Sequence, residues 1–408
     1  VLKRTADAVH AGDHIYATIE GIGLSNDIGG SLLAPTSEGQ LRAMRTAYTQ
    51  AAWHPRAVEY IECHATGTPV GDGVEVESLR QLWLNEEDTS SSSMSDAQAL
   101  GQKCVLGSVK SNIGHLLTAA GSAALIKTLL ALKHKTLPPT ANFNTPGELL
   151  CMEGMPFKVL RQAQEWKCRD PETLRRAGVS AFGFGGINAH VLLQEWDQER
   201  CAHTFTHAES QQEAAPAPSS TESGMDNDDA IAIVGIDVRS AASADISTFR
   251  QQIFTASEEN PDIEKPRHWG GAQQSRWWNE EGVAPSRGEY LDEISMPAGK
   301  FRIPPKEMRD MLPRQALMLL CAETALEDAG ADGLEHTHTG VFIGTGLDFN
   351  ATSFSLRWQL PSLYKQWQQE GVSDLPPLET LQDLLSEPLS ANRTMGALGS
   401  IVASRIAR

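Results

Sequence analysis

Two histidines stand in contexts suited to chemistry. His64 ends an apolar run in Glu62-Cys63-His64-Ala65-Thr66-Gly67-Thr68, and His115 closes Gly107-Ser108-Val109-Lys110-Ser111-Asn112-Ile113-Gly114-His115. A third stretch, Gly183-Phe184-Gly185-Gly186-Ile187-Asn188-Ala189-His190, is rich in glycine. Taken singly, each has a plainer reading. A histidine at a strand end is more often structural than catalytic, an isolated lysine such as Lys110 is usually solvated, and a glycine pair often marks a hairpin. The residues after His64 argue otherwise, because Ala65 to Thr68, Gly71 and Asp72 are small or polar and suit the lining of a site. Strand ends opening into a crevice are where α/β folds place chemistry. Glycines let backbone N–H groups face a reacting carbonyl, as an oxyanion hole requires.

The elements that position these residues follow from periodicity and punctuation. Asp7 to Ala11 reads as the end of a helix stopped by Gly12, and Ile15 to Glu20 alternates like a strand. Ser37 to Ala52 reads as a helix with Ser37 as its cap. Val58 to Cys63 is expected to be the strand that delivers His64, followed by a helix over Val74 to Leu84. Cys104 to Val109 reads as a short buried strand, and Ile113 to His134 as one long helix ended before Pro138-Pro139. Val179 to Phe182 and His190 to Glu195 should be strands flanking the glycine turn. The serine-rich stretch from Asn85 to Gln102 reads as a polar insertion.

Near Gln198 the composition shifts to Glu, Gln, Ser, Ala and Pro, which cannot bury enough apolar surface to order itself. The expected organisation is therefore a first block over 1–196, a flexible linker over 197–229 and a second block over 230–408. The second block opens with a buried strand, Ala230 to Gly235, then a helix around Phe249 and a loop bearing Trp269, Trp277 and Trp278. A helix over Arg314 to Ala329 and a strand over Thr339 to Gly346 follow.

Composition narrows the function. The chain of 408 residues is long enough for two or three domains, and 40% hydrophobic with 21% charged residues is ordinary for a globular protein. A net charge of −18 argues against nucleic acid and anionic lipid as partners. The six cysteines are scattered without a CxxC pair or zinc spacing, which fits reduced thiols in a cytoplasmic protein. Leu116 to Leu132 contains Thr118, Ser122, Lys127 and Thr128 and reads as a buried helix rather than a membrane span. No GxGxxG or GxxxxGK fingerprint occurs, so no nucleotide cofactor and no metal are expected.

The three motifs in this order resemble the C-terminal half of a β-ketoacyl synthase, the carbon–carbon bond-forming enzyme of fatty-acid and polyketide assembly. The resemblance implies a thiolase-like α/β fold of layered αβαβα type. It implies decarboxylative Claisen condensation of an acyl-enzyme thioester with malonyl on an acyl carrier protein, which supplies the phosphopantetheine. Carried over, His64 and His115 hydrogen-bond the malonyl thioester oxygen, and Lys110 orients and electrostatically biases His115. The backbone N–H of Phe184 contributes to the oxyanion hole, with its ring gating the pocket. Glu75 matches the acidic position after the first histidine and Asn188 the site-bracing asparagine. The family's nucleophilic cysteine belongs to the N-terminal half and is expected outside this chain. Cys63 adjoins His64 but should point to the opposite side of its strand. Leu117 stands where many members carry a glutamate.

The second block resembles the N-terminal half of another ketosynthase-like domain. Ala230 to Gly235 matches its first strand and Gly399 to Ile406 the segment before its nucleophile elbow. Two such domains without an intervening acyltransferase are similar to the ketosynthase and chain-length-factor pair of polyunsaturated fatty-acid synthases. That implies other synthase domains as partners and a ketosynthase-type dimer. Two alternatives stay open: a non-catalytic ketosynthase-like scaffold, and a thiolase-type condensing enzyme using coenzyme A. The latter usually has a second cysteine in place of one histidine.

Overall fold

The computed structural model describes residues 1–28, 35–84, 103–151, 154–168, 173–183, 185–198, 200, 230–241, 243–255, 291, 294–297, 299–331, 336–346, 349–386, 388, 390–396 and 398–407. The serine-rich insertion, most of the linker, the tryptophan-bearing loop and Phe184 lie outside them. The chain divides into two compact units, one of residues 1–238, 245–258 and 325–332, the other of 239–244, 259–324 and 333–408.

The first unit is built on β1 (Leu2–Arg4), α1 (Thr5–Ala11), β2 (Ala17–Asn26), α2 (Ser37–Ala51), β3 (Tyr60–Glu62) and α3 (Pro69–Leu84). It continues with β4 (Cys104–Gly107), α4 (Lys110–Ile113), α5 (Ala120–Lys133), β5 (Thr136–Leu137), β6 (Phe157–Val159) and β7 (Gln164–Glu165). β8 (Arg176–Gly183), β9 (Ile187–Glu195), β10 (Ile231–Ile233) and α6 (Ile246–Thr255) complete it. Eight strands form one sheet in the order β1-β10-β2-β9-β8-β3-β4-β6. β3 runs parallel to both β4 and β8, so the C-terminal ends of all three emerge at the same edge of the sheet. β10, from the start of the second block, pairs antiparallel with both β1 and β2.

Both faces of the sheet are covered, which explains why its strands read as near-continuous apolar runs. Successive residues point to opposite faces: Tyr60, Val105 and Leu193 pack with Leu129, Trp166 and Phe249. Their neighbours Ile61, Leu106 and Leu192 pack with Met44, Leu79, Trp83 and Phe157. α2 can lie this close to β2 only because the strand carries glycine beneath it. A Cβ at Gly23 would collide with Ala43 O, and one at Gly21 with Ala47 O.

Several expectations need correction. Ile113 to His134 is not one helix: α4 ends at Gly114 (φ 71°), a short 3-10 turn covers Leu117–Ala119, and α5 begins only at Ala120. Gly114 breaks the helix because its φ lies in the left-handed region that glycine tolerates. Ser37 does not cap α2, whose N-cap is Thr36 without a side-chain hydrogen bond. The Ser37 hydroxyl instead accepts a hydrogen bond from Ser78 Oγ at 2.9 Å.

The second unit is helical among its described residues. α7 (Pro305–Asp310) precedes α8 (Pro313–Asp328), whose last turn belongs to the first unit. α9 (Phe349–Gln369), α10 (Leu378–Leu385), α11 (Ala391–Gly396) and α12 (Gly399–Ile406) follow. Arg405 pairs with Glu307 at 2.7 Å, and Asp310 accepts from Ser390 Oγ at 3.0 Å. The expected strand over Thr339 to Gly346 forms neither strand nor helix. The described residues of this unit offer it no partner strand, and a lone strand leaves its backbone groups unpaired.

Candidate active site

His64, Lys110 and His115 all sit where β3 and β4 leave the sheet, and Phe182 sits at the matching end of β8. The backbone leaving β3 is held by Glu75 of α3. Its Oε1 accepts the His64 N–H and its Oε2 the Ala65 N–H, each at 2.8 Å. That grip secures Ala65 at φ 22°, a conformation costly for a residue with a side chain. Burial raises the Glu75 carboxyl to about 7, against the opposing pull of the two N–H donors. On the neighbouring loop, Ser108 Oγ donates to Ala65 O at 3.1 Å and ties the start of α4 to the same turn.

The two imidazoles meet. Their ring centroids are 5.3 Å apart with the planes at 81°. His64 is half-buried and also lies 5.8 Å from the Phe182 ring, whereas His115 is exposed. Phe182 N donates to His64 Nδ1 at 3.3 Å, and Leu117 N donates to His115 Nδ1 at 3.0 Å. A neutral imidazole that accepts at Nδ1 carries its proton on Nε2, so both rings are set to donate from Nε2. Burial first, then the nearby Lys110 and His115, lowers His64 to about 3. Burial and Lys110 also lower His115. Both therefore stay neutral around pH 7.

The glycine turn between β8 and β9 places Gly185 and Gly186 at φ 85° and 76°. Asn188, almost fully buried, donates to Asp27 Oδ1 at 2.8 Å and to Gly186 O at 3.1 Å, and Asp27 N donates back to Gly186 O at 2.8 Å. The turn is thereby fastened to the end of β2. Cys63 faces away from the histidines into the cluster containing Ile61 and Leu79, and burial holds its thiol well above the ordinary range. A thiol so placed is a poor nucleophile.

Glu62 and Lys127 were not legible as site residues. Both side chains are completely buried, with Lys127 Nζ 3.1 Å from Glu62 Oε2. A carboxylate in an otherwise apolar strand and a lysine in an apolar helix were the signals available. Among the described residues no cluster of His, Cys, Asp and Glu could hold a metal ion, and no helix is long and apolar enough to cross a membrane.

The model for the beta-ketoacyl synthase C-terminal domain matches residues 16–144, and that for the beta-ketoacyl synthase N-terminal domain matches residues 228–407. The chain belongs to the β-ketoacyl synthase family. Its eight-stranded mixed sheet with packed helices is of the α/β class. Over its whole length the chain is 30% identical to a component of the polyunsaturated fatty acid synthase of Thraustochytrium sp., spanning 18% of that protein. It is 43% identical over 51% of its length to a component of the phenolphthiocerol/phthiocerol polyketide synthase of Mycobacterium tuberculosis, spanning 13% of it. The ketosynthase from module 6 of the Bacillus subtilis bacillaene synthase is 39% identical, with a TM-score of 0.43 over 48% of this chain and 35% of that one. The chain thus spans less than a fifth of each of these two curated relatives.

Proposed function

We propose that residues 1–196 carry the malonyl-decarboxylating half of a 3-oxoacyl synthase site in a multidomain fatty-acid or polyketide synthase. The observation that carries this reading is the facing pair of neutral imidazoles, each with Nδ1 occupied by a backbone N–H. Such a pair can direct two Nε2–H donors at one thioester oxygen. Malonyl arrives on the phosphopantetheine arm of an acyl carrier protein. As its carboxylate leaves as carbon dioxide, the electron pair of the breaking bond moves into an enolate. Its oxygen accepts from His64 and His115. The enolate carbon attacks the acyl group held on a cysteine of the N-terminal half, and the cysteine leaves as thiolate. The Phe184 N–H, at the glycine turn braced by Asn188, serves the oxyanion of that acyl transfer.

Neutrality matters, since an imidazolium would hand its proton to the enolate. Burial, reinforced by the Lys110 ammonium, keeps both rings neutral, and the ammonium's field favours the negative charge growing on oxygen. One oxyanion-type donor contributes about 10²–10³ in rate, and juxtaposing two thioesters supplies much of the remainder. The buried, poorly acidic Cys63 weighs against a thiolase-type reaction at this site. Carbon dioxide release from malonyl-loaded carrier, compared between wild type and His64→Ala in the full-length protein, tests the assignment.

For residues 230–408 we propose a non-catalytic, chain-length-factor-like partner that completes a ketosynthase-type dimer with other synthase domains. Support comes from the relative that aligns across the whole chain, with C-terminal and N-terminal family models in that order. A cysteine at the nucleophile elbow following the residues matched to Gly399 to Ile406 would contradict this assignment.

A further inference from the structure

Beneath the two histidines lies a charged pair that the proposed chemistry does not use. Glu62 and Lys127 are both fully enclosed, 3.1 Å apart. Burying two charges costs more in lost hydration than their attraction commonly returns, so such a pair is weak evidence of a stabilising device. Its connections suggest another purpose. Glu62 Oε1 accepts the backbone N–H of Val109, the residue before Lys110, while Oε2 accepts the Tyr60 hydroxyl and faces Lys127 Nζ. Glu62 is two residues before His64, and Lys127 belongs to α5, the helix that follows the His115 turn. One carboxylate therefore touches each of the three segments on which His64, Lys110 and His115 depend.

We propose that the Glu62–Lys127 ion pair is a positioning device for the condensing site, fixing the spacing of the His64, Lys110 and His115 segments. The inference rests on the decarboxylating role proposed above for the two histidines. Glu62 and Lys127 touch neither substrate nor reacting atoms, and act through the residues they hold.

The pair also acts on Lys110 through charge. Lys110 is faced by Glu62, Cys63 and His64 from β3 and its end, by Asp72 and Glu75 from α3, by Lys127 from α5, and by His115. Burial lowers the Lys110 ammonium most; Glu62 and Glu75 pull it back up, and Lys127 lowers it further. Neutralising Glu62 should move the alkaline limb of the rate–pH profile down, whereas neutralising Lys127 should move it up.

The test uses the full-length protein with malonyl-loaded carrier as probe, comparing Glu62→Gln, Lys127→Met and the double variant. Each single variant is expected to lose about 10²-fold in decarboxylation kcat, the scale of an ångström-sized misplacement. KM for the malonyl carrier should stay within about twofold, because ground-state binding is untouched. The double variant removes both buried charges, so it should melt near wild type yet remain slow. The alkaline limbs of the single variants should move in opposite directions. A double variant that regains the wild-type rate, or limbs that do not move, overturns the proposal. His64→Ala, run in parallel, separates the two levels. If it is slow while the pair's variants run at the wild-type rate, only the positioning role falls. If His64→Ala itself runs at the wild-type rate, the histidine assignment fails and takes the positioning role with it.

Discussion

Asn188 Nδ2 lies 2.8 Å from Asp27 Oδ1, a hydrogen bond between residues 161 positions apart in the chain. With the Gly186 O bond it pins the glycine turn against the end of β2.

Asn188→Ala should therefore cost about 1–3 kcal/mol of stability, the range for removing a buried hydrogen-bonding partner. It should slow acyl transfer more than malonyl decarboxylation, because the proposed assignment gives the turn to the first and the histidines to the second. Separate assays of acyl loading and carbon dioxide release check this. Equal slowing of both would contradict the division of labour.

Stability should depend on pH through His190. This ring is fully buried, stacks on Tyr48 and shares a 3.0 Å hydrogen bond with Ser180, and burial lowers it to about 4. The unfolded chain binds a proton near pH 6.5 and the folded one only near pH 4. The stabilisation present above pH 6.5 is thus lost as pH falls through that window, by roughly 3 kcal/mol in all. Melting temperatures of wild type and His190→Gln, compared at pH 7.5 and pH 5, should converge at the lower value. A constant difference would show that the ring does not titrate this way.

Glu75 should act with the opposite sign. Its folded carboxyl sits at about 7, above its ordinary 4.5, so the folded state holds the proton longer. Stability is then lost as pH rises from about 4.5 towards 7. Glu75→Gln should remove that decline, while weakening the grip on the His64 and Ala65 N–H groups and slowing decarboxylation. A pH–melting profile for the variant parallel to wild type would count against it.

Gly23→Ala tests the packing of α2 on β2. The new Cβ would collide with Ala43 O, a backbone atom that can yield only if the helix shifts. Overpacking of this kind costs about 1–3 kcal/mol or more. Gly12→Ala meets no neighbour within 4 Å but does meet the strain of φ 70°, so it should cost about 1 kcal/mol. Chemical denaturation of the two variants should rank them in that order.

The strands ending at His64 and flanking the glycine turn were readable because buried strands bounded by glycine are distinctive in sequence. The meeting of His64 with His115 followed from motif order and could not be obtained from spacing, since the parallel pairing of β3 with β4 joins distant segments. Less was readable where local pattern misleads. Leu116 to Leu132 is apolar enough to look like continuous helix, yet Gly114 and Leu117, at φ 71° and 52°, turn the chain before α5 starts. That turn presents the Leu117 N–H to His115. Lys127 marked the same run only as too polar for a membrane, because its partner Glu62 is 65 residues away and on a strand. The Thr339 to Gly346 segment has strand composition, but composition cannot supply a pairing partner.

The most direct measurement of the central claim is carbon dioxide release from malonyl-loaded carrier by the full-length protein with His64→Ala or His115→Ala, each verified as folded. A loss of about 10²–10³-fold is expected in each, with an acid limb in wild type below pH 6.5, because burial and Lys110 lower both the His64 and His115 rings. Release at the wild-type rate from both variants would contradict that claim.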